Sequence, residues 1–207
     1  MRTAGEGAGG RVAALILAAG AGTRMGGPKA LLEFRGRRLI ERAIDAARAG
    51  GCGQVVAVLG AAAEEVRQRA DLRGARVVVN QGWHEGVGSS LRAGLAALDS
   101  EFDDARAVPI DAALILLVDQ PMVGADAVAA VLAAWRGGAR LAAASYAGQR
   151  GHPVLLGREH WAAVGRDAVG EVGARAFLAA NAAQLVLVPC DALADPRDLD
   201  VPADLNV

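Results

Sequence analysis

Aromatic side chains are scarce in this chain, at 3% of its 207 residues. A core built almost without them must be aliphatic and closely packed. Net charge is nearly absent too. Lys and Arg number 22 against 23 Asp and Glu, for a formal charge of −1, so no broad basic field exists to hold a nucleic-acid backbone. A local loop can still bind a phosphate-bearing small molecule. Cys52 and Cys190 stand far apart and form no C-x-x-C pair, which argues against a structural zinc site and against a disulfide framework. Two ordinary thiols suit a cytoplasmic protein. No long hydrophobic run occurs. The stretch from Val12 to Ala19 is too short to span a bilayer, and Gly-rich turn chemistry follows it where a secretion signal would carry a cleavage site. A soluble, cytoplasmic protein with no membrane partner is expected. A G-x-S-x-G elbow is missing, which disfavours a serine hydrolase. His84-Glu85 lacks the later His of a zinc helix, because position 88 is Gly.

What the chain does have is alternation. Residues 1–10 are rich in Gly and Ala and read as a frayed tail; residues 11–207 are the length of one domain. Val12 to Ala18 and Ala112 to Val118 are continuous apolar runs, as expected of strands buried on both faces, and Gln54 to Gly60 reads as another buried strand. Arg76 to Val79 is a shorter strand. Leu39, Ile40, Ala43, Ile44 and Ala47 recur at helical spacing, and Gly50-Gly51 stops that helix. Ala61 to Ala70 reads as a helix with Glu65 four residues before Arg69. Leu91, Leu95 and Leu98 mark another helix, which Ser89 or Ser90 is placed to cap. Residues 101–111 are acidic and read as a surface loop. Val128, Val131, Leu132 and Trp135 mark a further helix. Strands at Leu141–Tyr146, Pro153–Leu156 and Leu185–Val188 follow, with a helix near Val172–Ala180. Residues 145–165 interrupt the rhythm and are expected to form a small substrate-facing lobe. Trp83, Trp135 and Trp161 read as packing residues, and Arg35, Arg37 and Arg38 as a solvated turn. The pattern predicts an α/β protein with three α/β/α layers and a mostly parallel, Rossmann-like sheet. Ligands of such sheets bind beyond the carboxyl ends of the strands, which directs attention to the loops after Ala18, Val79 and Val118.

The first of these loops, residues 18–29, reads Ala-Ala-Gly-Ala-Gly-Thr-Arg-Met-Gly-Gly-Pro-Lys. Gly20, Gly22, Gly26 and Gly27 allow close backbone approach to a ligand. Consecutive amides in such a turn form a nest for anions, and Arg24 and Lys29 add charge to it. A dinucleotide fingerprint needs a third Gly where Met25 stands. A P-loop needs Gly-Lys-Ser/Thr, but Pro28 precedes Lys29 and Ala30 follows it. Asp119 follows an apolar strand and offers the carboxylate that Mg²⁺ favours alongside phosphates. Asn80 and Ser89 carry groups able to hydrogen-bond a base edge.

The loop resembles the L-A-A-G-x-G/S-x-R-M-G-x-x-K signature of the nucleotidyltransferase superfamily, and within it the molybdenum cofactor cytidylyltransferase family. The likeness continues at Asn80, Gly88-Ser89-Ser90-Leu91-Arg92, Asp119-Gln120-Pro121, Gly151-His152-Pro153 and Gly173-Ala174-Arg175, and so covers about residues 12–205. It implies a nucleotide-diphospho-sugar transferase fold and transfer of CMP from CTP to molybdopterin or a similar phosphorylated acceptor, with Mg²⁺. It assigns the nucleotide to Ala18, Ala19, Gly20, Ala21, Gly22, Thr23, Arg24, Lys29, Asn80, Gly88 and Ser89, with Ala18-Ala19 pointing to cytidine. Chemistry falls to Arg24, Lys29 and Asp119, the metal to Asp119 and Asp200, and the acceptor to Gln120, Pro121 and His152. Two alternatives stay open. One is an NAD(P)H-dependent oxidoreductase on the same scaffold, because some relatives resemble nicotine blue oxidoreductase. The other is a binding module that keeps the nucleotide site without turnover.

Overall fold

A computed structural model describes residues 11–100 and 109–206. The tail at 1–10 and most of the acidic segment 101–111 therefore lie outside the described residues. One seven-stranded sheet runs in the order β5-β4-β1-β6-β8-β7-β9. Its strands are β1 (Val12–Ala18), β4 (Gln54–Leu59), β5 (Arg76–Val79), β6 (Ala112–Leu117), β7 (Leu141–Tyr146), β8 (Gln149–Gly157) and β9 (Leu185–Pro189). β1 pairs in parallel with both β4 and β6, β4 with β5, and β7 with β9; β8 alone runs antiparallel to its two neighbours. β2 (Glu33–Phe34) and β3 (Arg37–Arg38) make a separate two-stranded hairpin.

Period-two alternation divides the apolar content of β1 between two cores. Ala14, Ile16 and Ala18 face a cluster containing Ile40 and Ile44 of α1 (Leu39–Ala49), Val66 of α2 (Ala63–Arg69) and Val128 and Val131 of α4 (Ala125–Arg136). Ala13, Leu15 and Leu17 face Leu91, Leu95 and Leu98 of α3 (Val87–Ser100), Val164 of α5 (Trp161–Asp167) and Phe177 of α6 (Arg175–Ala180). The sheet is thus covered on both faces, which is why β1, β4 and β6 are apolar throughout rather than alternating. Ala-rich strands keep the helices close. Gly94 of α3 sits so near β1 that an added Cβ would lie 2.4 Å from a Leu15 methyl.

Three expectations need correction. Residues 145–165 form no separate lobe. β7 turns at Ala147-Gly148, and β8 returns between β7 and β6 as the reversed strand of the main sheet. The turn residues take φ of 48° and 74°, the left-handed conformation that a two-residue hairpin demands. Ser89 does not cap the helix. α3 begins earlier, at Val87, and Ser89 lies in its first turn. Arg37 and Arg38 are not merely solvated. Arg37 pairs with Asp45 at 2.9 Å and with Glu41, and Arg38 with Glu41 at 3.1 Å, which ties the hairpin to α1.

Both cysteines are buried and free. Among the described residues no helix is long and apolar enough to cross a membrane.

Candidate functional site

The carboxyl ends of β5, β4, β1 and β6 lie along one edge of the sheet, because these strands are parallel. The loop after β1 opens there. Its shape depends on Gly22, whose φ of 62° lies in the left-handed region; a Cβ at this position would stand 1.9 Å from the Gly27 carbonyl oxygen. The turn closes on that residue. The N–H groups of Met25 and Gly27 both donate to the Gly22 carbonyl, at 2.9 and 3.2 Å. Gly20, Ala21 and Gly22 donate their own N–H groups to no backbone carbonyl among the described residues. Beneath the loop, Gly60 at the end of β4 leaves no room for a side chain, since a Cβ would lie 2.4 Å from the Ala19 carbonyl oxygen. The loop therefore rests directly on the neighbouring strand end.

A hollow of about 410 Å³ lies against this loop. Ala18, Ala19, Gly20, Gly22, Arg24 and Lys29 line one wall, and Val118, Asp119 and Asp200 another. The Lys29 ammonium donates to Asp119 Oδ2 at 2.8 Å and to Asp200 Oδ1 at 2.7 Å. Arg24 approaches the same Asp200 oxygen at 3.8 Å. Side-chain exposures of 18% for Lys29, 23% for Asp119 and 45% for Asp200 place the cluster at the mouth. Two positive and two negative groups cancel. Asp119 and Asp200 come together through the backbone, because the Leu199 N–H donates to the Asp119 carbonyl at 2.9 Å. Asp204 fixes the turn beyond by accepting from the N–H groups of Asp200 and Val201 at 2.8 and 2.9 Å. Burial alone would lower the Lys29 pKa, but the hydrogen bonds and charges of Asp119 and Asp200 outweigh it and hold the amine protonated above its ordinary value. Those same contacts hold Asp200 below the usual carboxylate range.

Asp119 and Asp200 present converging oxygens to one point, at which Lys29 Nζ now sits. Two carboxylates with the remaining positions left to phosphate and water are what Mg²⁺ favours, rather than an all-protein cage. No group of three or more His, Cys, Asp or Glu side chains forms such a cage among the described residues. The donor set fits a divalent ion brought in with a polyphosphate.

A second cavity, of about 440 Å³, continues from the first through shared walls at Leu17, Val87, Leu117 and Glu171. Gln120, Tyr146, Arg150, His152, Arg175 and Asp198 line it. Gln120 donates to the Pro196 carbonyl at 3.0 Å and to Asp198 Oδ1 at 2.8 Å, which closes this end against the C-terminal segment. The Tyr146 hydroxyl donates to the His152 carbonyl at 2.9 Å and steadies β8. Burial drives the His152 pKa down to about 4; Asp119 opposes this and the positive charges of Arg150 and Arg175 add to it. The ring is therefore neutral at physiological pH.

The structure brings together Ala18, Ala19, Gly20, Gly22, Arg24, Lys29, Asp119 and Asp200 around the hollow, and places Gln120 and His152 in the adjoining cavity. Ala21 and Thr23 belong to the loop but do not line it. Asn80, Gly88, Ser89 and Pro121 line neither cavity. Asn80 is buried and spent. Its Nδ2 donates to Ser89 and Ser90 Oγ at 2.8 and 3.1 Å, and its Oδ1 accepts from the Gly82 N–H at 2.9 Å. The Ser89 hydroxyl lies 2.9 and 2.8 Å from the carbonyls of Gly82 and Gly86 and shares its one proton between them. These two brace the loop into α3. A Cβ on Gly88 would run into the backbone of Ala168 and Gly170. Pro121 lines neither cavity, and its carbonyl accepts from Arg42 at 3.2 Å. Trp83, read as packing, lines the hollow instead. Arg150, Glu171 and Asp198 carry no motif signal strong enough to have found them; only the reversal at β8 and the C-terminal return bring them in.

A profile of the MobA-like NTP transferase domain matches residues 14–194. Nicotine blue oxidoreductase of Paenarthrobacter nicotinovorans is 40% identical over 197 residues, which span 91% of this chain and 92% of that protein. The crystal structure of Rv0371c from Mycobacterium tuberculosis H37Rv has a TM-score of 0.79 at 27% identity, covering 96% of this chain and 97% of that one. A structure of Rv0371c in complex with manganese has a TM-score of 0.76 at 26% identity, covering 95% and 96%.

Proposed function

The chain belongs to the MobA-like NTP transferase domain family, and on that premise we propose that it transfers CMP from CTP to molybdopterin or a similar phosphorylated acceptor and releases pyrophosphate. The observation that carries this reading is the convergence of Lys29, Asp119 and Asp200 at the mouth of the hollow beside the uncommitted amides of Gly20, Ala21 and Gly22.

The loop amides and Arg24 hold the triphosphate. Lys29 exchanges its two carboxylates for phosphate oxygens and leaves Asp119 and Asp200 to a divalent ion. That ion, Mg²⁺ in this reading, supplies charge neutralisation on the phosphates; the manganese complex of Rv0371c supports a divalent site in a relative. An acceptor phosphate oxygen attacks the α-phosphorus in line, the bond from that phosphorus to the bridging oxygen breaks, and pyrophosphate departs. No general base is required, because a phosphate monoester is already ionised near neutral pH. The chain contributes positioning and preorganised charge. Gln120 and His152 face the acceptor, and the neutral His152 ring adds no competing positive charge. Ala18-Ala19 supports cytidine. Pyrophosphate release from CTP with Mg²⁺ across a panel of phosphorylated acceptors tests the reading; absence of release with any nucleoside triphosphate defeats it.

The identity to nicotine blue oxidoreductase favours a second reading, hydride transfer from NAD(P)H to a quinone-like acceptor. Fold does not fix reaction. Loss of NADPH absorbance in the presence of a quinone-like dye supports it, and a flat trace removes it.

A further inference from the structure

Arg150 and Arg175 line the second cavity together. Arg150 comes from β8 and Arg175 from the start of α6. Neither guanidinium forms an ion pair or a side-chain hydrogen bond among the described residues, whereas Arg24, Arg37, Arg38, Arg73 and Arg158 all hold carboxylates. The cavity's own carboxylates are turned elsewhere. Asp198 is held by Gln120. Glu171 is directed to the start of α3, with the Val87 N–H at 3.5 Å from its Oε2. The two guanidinium groups share the cavity, Arg150 half-buried and Arg175 exposed, and burial together with the charge of Arg175 lowers the Arg150 pKa. An anion bridging the two would gain charge-assisted hydrogen bonds that neither guanidinium now makes. Lys29, Arg24, Asp119 and Asp200 line the first hollow and not this cavity. The pair therefore stands apart from the residues assigned to the triphosphate.

We propose that Arg150 and Arg175 form a seat for a doubly charged anionic group of the acceptor, separate from the group that attacks the α-phosphorus. This deepens, and rests on, the reading of the second cavity as the acceptor site. Its consequence is substrate selection. The acceptor then carries a second dianionic oxyanion group besides the phosphate that attacks, and the seat holds that phosphate toward Asp119. Two planar forks match a tetrahedral oxyanion far better than two ammonium groups do.

The test uses the full chain, calorimetry and inorganic phosphate as the probe. Arg150→Gln with Arg175→Gln is expected to weaken phosphate binding by roughly 10-fold or more, as the loss of charge-assisted bonds implies, while CTP affinity with Mg²⁺ stays within about 2-fold. Lys29→Ala is expected to do the reverse. Acetate, with one charge, should bind wild type at least about 10-fold more weakly than phosphate. If the glutamine pair disturbs folding by circular dichroism, Arg150→Lys with Arg175→Lys is used, and intermediate phosphate affinity is expected. Unchanged phosphate affinity in the variants, no phosphate binding by wild type, equal binding of acetate, or an equal loss of CTP affinity each overturns the seat. Arginine-dependent phosphate binding in a protein that binds no nucleotide would leave the seat standing and reject nucleotidyl transfer.

Discussion

Lys29 and Asp119 lie 90 positions apart in the chain and meet at 2.8 Å, with the ammonium also held by Asp200. The amine stands where the two carboxylates would otherwise gather a metal ion. Lys29→Ala should therefore bind Mn²⁺ more tightly than wild type in the absence of nucleotide, because the competing cation is gone. The same variant should lose roughly 10²- to 10³-fold in turnover, the usual scale for a deleted transition-state charge contact. Asp119→Asn should lose a similar factor in turnover and bind Mn²⁺ more weakly. Titration followed by electron paramagnetic resonance, with pyrophosphate release alongside, separates the two. Weaker Mn²⁺ binding in Lys29→Ala would contradict the exchange.

Gly22 and Gly20 should respond differently to one methyl group. At Gly22 the positive φ and the overlap with the Gly27 carbonyl predict destabilisation of about 2–4 kcal/mol, with loss of nucleotide binding. At Gly20 a Cβ meets nothing within 4 Å, so Gly20→Ala should fold normally. Gly20 lines the hollow, and the methyl group would then weaken CTP binding alone. Urea denaturation and calorimetry on both variants check this; a destabilised Gly20→Ala would show that the loop is misread.

Asn80 should behave as a structural residue. Asn80→Ala leaves the Gly82 N–H and two serine hydroxyls without their partner, at about 2–3 kcal/mol in unfolding free energy. CTP affinity of the folded variant should stay within about 3-fold. A stable variant with a large loss of affinity would return Asn80 to the nucleotide.

The sheet was legible because β1, β4 and β6 carry unbroken apolar runs between glycine-rich turns, and α1 carries its periodicity openly. The loop at 18–29 was legible because several glycines and two cations follow a buried strand. Lys29, Asp119 and Asp200 were each named from motifs, but nothing in the spacing says that they touch; the Leu199–Asp119 backbone hydrogen bond decides that. Asn80 and Ser89 misled for a related reason. A polar residue beside a glycine-rich turn looks free in sequence, and only folding shows that the backbone has already claimed it. Residues 145–165 look like a lobe in sequence because a reversed strand in a parallel sheet breaks the βαβ rhythm without leaving the sheet. Arg150 reaches the second cavity through that reversal.

His152 supplies a pH dependence. Its pKa falls from the ordinary 6.5 to about 4 on folding, chiefly by burial. Between those values the unfolded chain binds more protons than the folded one, so stability increases with pH across this window and is lost as pH falls from about 6.5 toward 4. The full effect is on the order of 2 kcal/mol, allowing for the opening of the cavity to water. His152→Gln should flatten that part of the stability–pH curve, and the His152 ring protons should titrate near 4 by NMR. Titration near 6.5 would contradict the neutral ring.

The proposed function puts polyphosphate on the amides around Gly20–Gly22 and has Asp119 and Asp200 share a divalent ion. A crystal grown with CTP and Mn²⁺, measured at the manganese absorption edge, tests it most directly. The predicted result is one anomalous peak between Asp119 and Asp200, with the triphosphate against the loop and Lys29 turned onto phosphate oxygens. A peak elsewhere, or nucleotide bound away from this loop with the Lys29 ammonium still between its two carboxylates, would contradict it.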